Sequence, residues 1–142
     1  MNYWIFLLPI IALILTQLIK VVIELFSGNF SWHVFKKYGG MPSSHSALVF
    51  ALLTEVIYID GIYSTTFAIA LILTILIIRD ATGYRRNMDC HSQLINSLVK
   101  ELPSEKQPDL PHLDDTIGHT PLQAAVGAVV GILTVVIGNL LF

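Results

Sequence analysis

Apolar residues gather in four runs along this chain, separated by polar stretches of very unequal length. The first run extends from Tyr3 to about Phe26, with Lys20 and Glu24 near its end. The second starts at Ser44 or His45, ends near Ile59, and is closed by Asp60-Gly61, a tight-turn signal. The third runs from Ile62 to Ile78 and stops at Arg79-Asp80. The fourth follows Thr120-Pro121 and reaches Phe142. A helix needs about 17 apolar residues at least to cross the hydrocarbon core. Runs two and three sit near that limit, which suits little tilt or shielding by protein. The pattern predicts an all-α fold: a polytopic membrane helix bundle in one integral-membrane domain, 1–142. About four transmembrane helices are expected, over 3–26, 44–60, 62–78 and 120–142.

The long polar segment 79–119 has its own pattern. Between Asn87 and Leu102 the apolar positions are Met88, Leu94, Ile95, Leu98, Val99 and Leu102. That spacing gives one greasy stripe on an amphipathic helix. Such a helix either lies on the membrane surface or packs on the bundle. The proline-rich, charged stretch Pro103 to Pro111 reads as a flexible loop. In the fourth run, Gly127-x-x-x-Gly131, with Ala124 before and Gly138 after, lets two helix backbones approach closely. Packing within the chain and a homodimer both fit that motif, and a bundle this thin favours the homodimer.

Composition agrees with a bilayer as solvent. The chain is 54% hydrophobic and 13% charged, against about 25% charged in soluble domains. The net charge of −2 by itself neither favours nor excludes nucleic acid. The partners expected are the bilayer and a membrane phospholipid, with no nucleic acid. A single cysteine, Cys90, allows no internal disulfide. The first run lacks a basic leader and a small-residue cleavage site, so it reads as a retained span. With four spans, Lys20, Lys36, Lys37, Arg79, Arg85, Arg86, Lys100 and Lys106 all fall on one side. The positive-inside rule places that side in the cytoplasm of a cell membrane, with both termini outside. Lys20 and Glu24, four apart, read as an interfacial ion pair.

Three polar clusters lie on the charged side. Ser43-Ser44-His45-Ser46 opens the second span, Arg79 to Arg86 closes the third, and Gly118 to Gln123 opens the fourth. Topology alone brings them to one level. Unpaired N–H groups and the dipole at a helix start suit an anion. Histidine moves protons near neutral pH. Each cluster also has a plain structural reading. Pro42-Ser43-Ser44 forms an N-cap, and the arginines anchor topology on anionic headgroups. Thr120-Pro121-Leu122-Gln123 fits a capping box, the favoured reading of Gln123. Asp80, Asp89, His112, Asp114, Asp115 and His119 include metal-compatible types but form no metal-binding signature. No cofactor and no metal are expected.

The blocks Gly39-Gly40-Met41-Pro42-Ser43-Ser44-His45-Ser46-Ala47, Asp80-Ala81-x-Gly83-x-Arg85-Arg86 and Gly118-His119-Thr120-Pro121-Leu122-Gln123 come in one order across most of the chain. Together they resemble the divergent phosphatidic-acid-phosphatase-like family, also described as acid phosphatase/vanadium-dependent haloperoxidase-related. The broader type 2 phosphatidic acid phosphatases carry K-x6-R-P, P-S-G-H and S-R-x5-H-x3-D. Pro42-Ser43-Ser44-His45 is similar to the second motif, with serine in place of glycine. The resemblance makes His45 the general acid and His119 the nucleophile, with His91 as second choice. Gln123 stands where an orienting aspartate would be, and Asp80 is the candidate to supply that charge from another helix. Neither Lys36 nor Lys37 is followed by Arg-Pro, so the first motif is unmatched.

The function so implied is hydrolysis of a lipid phosphomonoester at the cytoplasmic face through a phosphohistidine. Arg85, Arg86 and Lys37 would bind phosphate oxygens, and the amides of Ser43 and Ser44 would add donors. The alternative is a non-catalytic phospholipid-binding or translocating protein that keeps the phosphate pocket. In-line displacement requires the two imidazoles on opposite sides of one phosphorus, roughly 6–9 Å apart.

Overall fold

Small residues decide where these helices meet. The computed structural model describes residues 3–27, 40–103 and 110–141. It contains α1 (Trp4–Phe26), α2 (Ser44–Asp60), α3 (Thr65–Arg79), a π turn (Asp80–Tyr84), α4 (Arg85–Lys100) and α5 (Pro121–Leu141). Much of the expected proline-rich loop, 104–109, lies outside the described residues. The Ser43 hydroxyl starts α2 by accepting the Ser46 N–H at 3.4 Å. The Ser64 hydroxyl starts α3 by accepting the Phe67 N–H at 3.1 Å. Between them Gly61, at φ +78°, turns the chain in a region that favours glycine.

The central helix is α2, which packs on α1, α3 and α5. Its buried positions are mostly small: Ser44, Ser46, Ala47, Val49 and Ala51, with Glu55 and Val56 further along. Gly127 and Gly131 of α5 face the carbonyls of Ser43 and Ala47 so closely that a Cβ at either glycine would overlap them. The small-residue motif is therefore used inside the chain. Helices α2 and α5 run parallel, whereas α1 and α3 run against α2. The Gln17 amide reaches the Ser44 hydroxyl at 3.4 Å, and Leu8 packs on Gly138 near the far end of α5. Trp4, Leu8, Ala12, Ala47, Ala51 and Val135 form the apolar centre.

Large apolar side chains point outward instead: Ile14, Ile72 and Ile137 are each about half exposed. Small residues inside and large apolar ones outside form the surface of a helix bundle solvated by lipid. Three helical stretches are long and apolar enough to cross a membrane: Trp4–Phe26, Thr65–Lys100 and Pro121–Leu141. At 17 residues, α2 is shorter and is sheathed by three neighbours. The expected stop at Arg79-Asp80 is not a helix end. Helix continues through the π turn into α4, so the third span and the amphipathic helix are one stretch. Charged side chains lower hydropathy without breaking backbone hydrogen bonds, which is why hydropathy alone misplaced that end.

Candidate functional site

The ends of α1, α2, α3 and α5 nearest Ser44 hold the expected polar clusters together. The imidazoles of His45 and His119 lie with ring centroids 6.4 Å apart and planes inclined by 52°. That separation falls within the range required for groups flanking one phosphorus. The expected second choice, His91, is exposed on α4.

Backbone contacts hold His119 in place. Its N–H donates to the Ala81 carbonyl at 3.0 Å, inside the π turn. The Asp89 carboxylate accepts the N–H groups of Ile117 and Gly118, both at 2.8 Å. Gly118 lies so close to the Arg86 backbone that a Cβ would overlap it. Beyond His119, the Gln123 side-chain oxygen accepts the Thr120 N–H at 2.9 Å, and the Thr120 hydroxyl accepts the Gln123 N–H at 3.3 Å. This is the expected capping box.

The His119 ring is treated differently. It is 1% exposed, and neither ring nitrogen has a hydrogen-bond partner among the described residues. The Gln123 amide sits near the imidazole, but its oxygen is turned to the Thr120 N–H. Burial pushes His119 down from the ordinary 6.5 to about 4; Lys20 and His45 push the same way, Gln123 opposes, and Arg85 adds a smaller push. At neutral pH the imidazole is therefore uncharged.

Two expected contributions take another form. Asp80 does not reach His119; its Oδ2 pairs with Arg85 Nε at 2.7 Å. Asp80 therefore orients an arginine. The Ser43 N–H donates to the Gln123 carbonyl at 3.1 Å, so that amide ties α2 to α5 and is not available to a headgroup. Ser44 is buried, with its hydroxyl accepting from Gln17. Arg86 is exposed. The expected Lys37 lies outside the described residues.

Lys20 keeps its expected electrostatic coupling to Glu24, and it has a second setting that sequence reasoning missed. It is 6% exposed on α1, and its charge acts on both His45 and His119. A buried lysine beside two imidazoles is more than an interfacial anchor. The available signal was the face shared by Gln17 and Lys20, three apart on α1, since Gln17 contacts Ser44. Among the described residues, no three His, Cys, Asp or Glu side chains gather closely enough to hold a metal ion.

The model of the family described as "Divergent PAP2 family" matches residues 1–134. The "Uncharacterized membrane protein YuiD" of Bacillus subtilis (strain 168) is 38% identical, over 86% of this chain and 85% of that one. No solved structure matches the chain.

Proposed function

The chain belongs to the Divergent PAP2 family of membrane proteins, and on that premise we propose that it hydrolyses a lipid phosphomonoester through a phosphohistidine. The observation that carries this reading is the facing pair of imidazoles 6.4 Å apart, one of them buried and uncharged beside Lys20 and Arg85. His119 attacks phosphorus: an N–P bond forms, the P–O bond to the lipid alcohol breaks, and His45 gives its proton to the departing oxygen. Water then attacks the phosphohistidine, and phosphate leaves. Arg85, held by Asp80, and Lys20 neutralise the phosphoryl oxygens, with Arg86 at the rim. Ser44 adds its helix N-terminal amide.

The one-sided distribution of lysine and arginine supports a cytoplasmic site. A lipid intermediate made on that face, such as phosphatidic acid or phosphatidylglycerophosphate, suits it. The test is phosphate release from short-chain forms of both lipids, in detergent with chelator. Wild type should turn over, and His119→Ala and His45→Ala should not. Equal trace release by all three proteins ends the phosphatase reading. Turnover only with added Mg²⁺ replaces it with metal-assisted hydrolysis.

One observation favours a second reading: among the described residues no carboxylate orients His119, since Asp80 is on Arg85 and the Gln123 oxygen is in a cap. A protein that binds or moves phospholipid without cleaving it would be built so. It would bind phosphatidic acid in a manner weakened by Arg85→Ala plus Lys20→Met, with no phosphate released.

A further inference from the structure

The π turn at Asp80–Tyr84 changes which way α4 faces. Along α3, Ile69, Ile72 and Leu76 are exposed on the outer side, while Ala70 and Thr74 are buried towards α2. On α4, Met88 (53%), Ile95 (46%) and Leu98 (55%) are exposed, with Tyr84 just before them at 65%. Leu76 and Tyr84 are eight residues apart. In an unbroken α-helix that places them about 80° out of phase. A π turn absorbs one extra residue and so brings them to within about 20°. The apolar stripe of α4 thereby continues the lipid-facing side of α3.

The same rotation turns the other side of α4 towards the segment that leads to His119. Asp89 grips Ile117 and Gly118, and Asn96 exchanges hydrogen bonds with Leu113 at 2.9 and 3.0 Å. Protein therefore covers the polar flank, and the stripe remains bare. The helical stretch Thr65–Lys100 has 36 residues. At about 54 Å it far exceeds a hydrocarbon core of about 30 Å. The charged band of Arg79, Arg85 and Arg86 marks where it leaves the core. Beyond that band the stripe meets lipid only by inclining into the headgroup region, and π turns are places where helices bend.

From this continuity we infer that α4 is an interfacial helix. Its Tyr84–Met88–Ile95–Leu98 stripe is seated at the boundary of headgroups and acyl chains of the leaflet bearing the histidine pair. Exposed Arg79, just before the π turn, suits anionic headgroups.

Spin labels provide the test, on full-length protein in phosphatidylethanolamine–phosphatidylglycerol vesicles. Cys90→Ser removes the native thiol, and single cysteines replace Met88, Ile95 or Leu98 on the stripe and Gln93 or Ser97 on the polar side. All these positions are exposed, so labelling does not disturb packing. Stripe labels should collide with lipid-soluble oxygen more than with a water-soluble nickel chelate, and Gln93 and Ser97 labels should show the reverse. Nickel access along the stripe overturns the proposal by placing it in water. Exclusion of both reagents with spin–spin broadening also overturns it, because a second copy would then cover the stripe. Neither result depends on whether the protein hydrolyses phosphate.

Discussion

Helices α2 and α5 are matched along their length with an offset of 84 residues, yet the two ends of the pair treat polar side chains in opposite ways. At the Asp60 end, Glu55 is fully buried and its Oε2 accepts Asn139 Nδ2 at 2.7 Å. Asn139 also donates to the Val135 carbonyl at 3.1 Å. There, side chains connect the helices. At the Ser43 end, backbone makes the connections: Ser43 N–H to the Gln123 carbonyl, His119 N–H to the Ala81 carbonyl. Among the described residues the His119 ring nitrogens and the Ser46 hydroxyl, all buried, are left without partners, against the single Glu55 Oε1 at the other end. An unpartnered buried polar group costs about 1–3 kcal/mol. Where the backbone fixes the register, the side chains are left for another task. Where the side chains fix the register, Glu55 Oε1 is the one such atom left over among the described residues.

The strongest test separates these roles by one substitution at each end. His119→Ala should lower phosphate release on the order of 10⁴-fold. It should leave thermal stability in detergent unchanged or slightly raised, since it removes a buried ring with unmet hydrogen bonds. A large fall in melting temperature would mean that His119 is part of the scaffold and would erase the contrast between the ends. Lys20→Met comes next. Loss of one charge-assisted contact of about 1.5–3 kcal/mol corresponds to a loss of about ten- to a hundredfold in kcat/KM. Lys20→Arg should restore part of it. Equal activity in Lys20→Met would return Lys20 to the role of a membrane anchor.

At the other end, Glu55→Ala should destabilise the fold by about 1–3 kcal/mol, because Asn139 loses a buried acceptor. Turnover per folded molecule should stay near wild type. Glu55→Gln keeps an oxygen acceptor and should recover most of the stability. If Glu55→Ala instead abolished turnover with the melting temperature intact, chemistry would be distributed over both ends.

Much of this arrangement was legible because topology is a coarse property. Apolar runs and lysine–arginine asymmetry place the starts of α2 and α5 at one level without any knowledge of packing. Thr120 and Gln123 announced their cap because capping is local, and Gly127 and Gly131 announced a close approach. Sequence could not say whether the neighbour was α2 or another copy, since glycine spacing identifies a contact and not its partner. What Lys20 and Asp80 face was not legible, for one physical reason. Their partners lie on other helices or across an irregular turn, and the decisive quantity is a side-chain direction. The π turn itself leaves no trace in hydropathy, so Asp80 and Gly83 read as the end of a helix that continues through them.

A pH effect needs no loss of function to be seen. Because burial holds folded His119 near 4 while an unfolded histidine titrates near 6.5, the unfolded chain takes up a proton first as pH falls. Stability should therefore decline from about pH 6.5 down to about 4, where the folded ring also protonates, and this contribution should then level off. His119→Gln cannot titrate, so the difference in stability between wild type and His119→Gln should be flat above pH 6.5, widen below it and become constant near 4. Histidine NMR in micelles gives an independent reading, with the resonance missing from His119→Gln titrating near 4. A midpoint at 6.5 or above would show that water or a carboxylate reaches the ring. The Ser43 end would then be no emptier of partners than the Glu55 end.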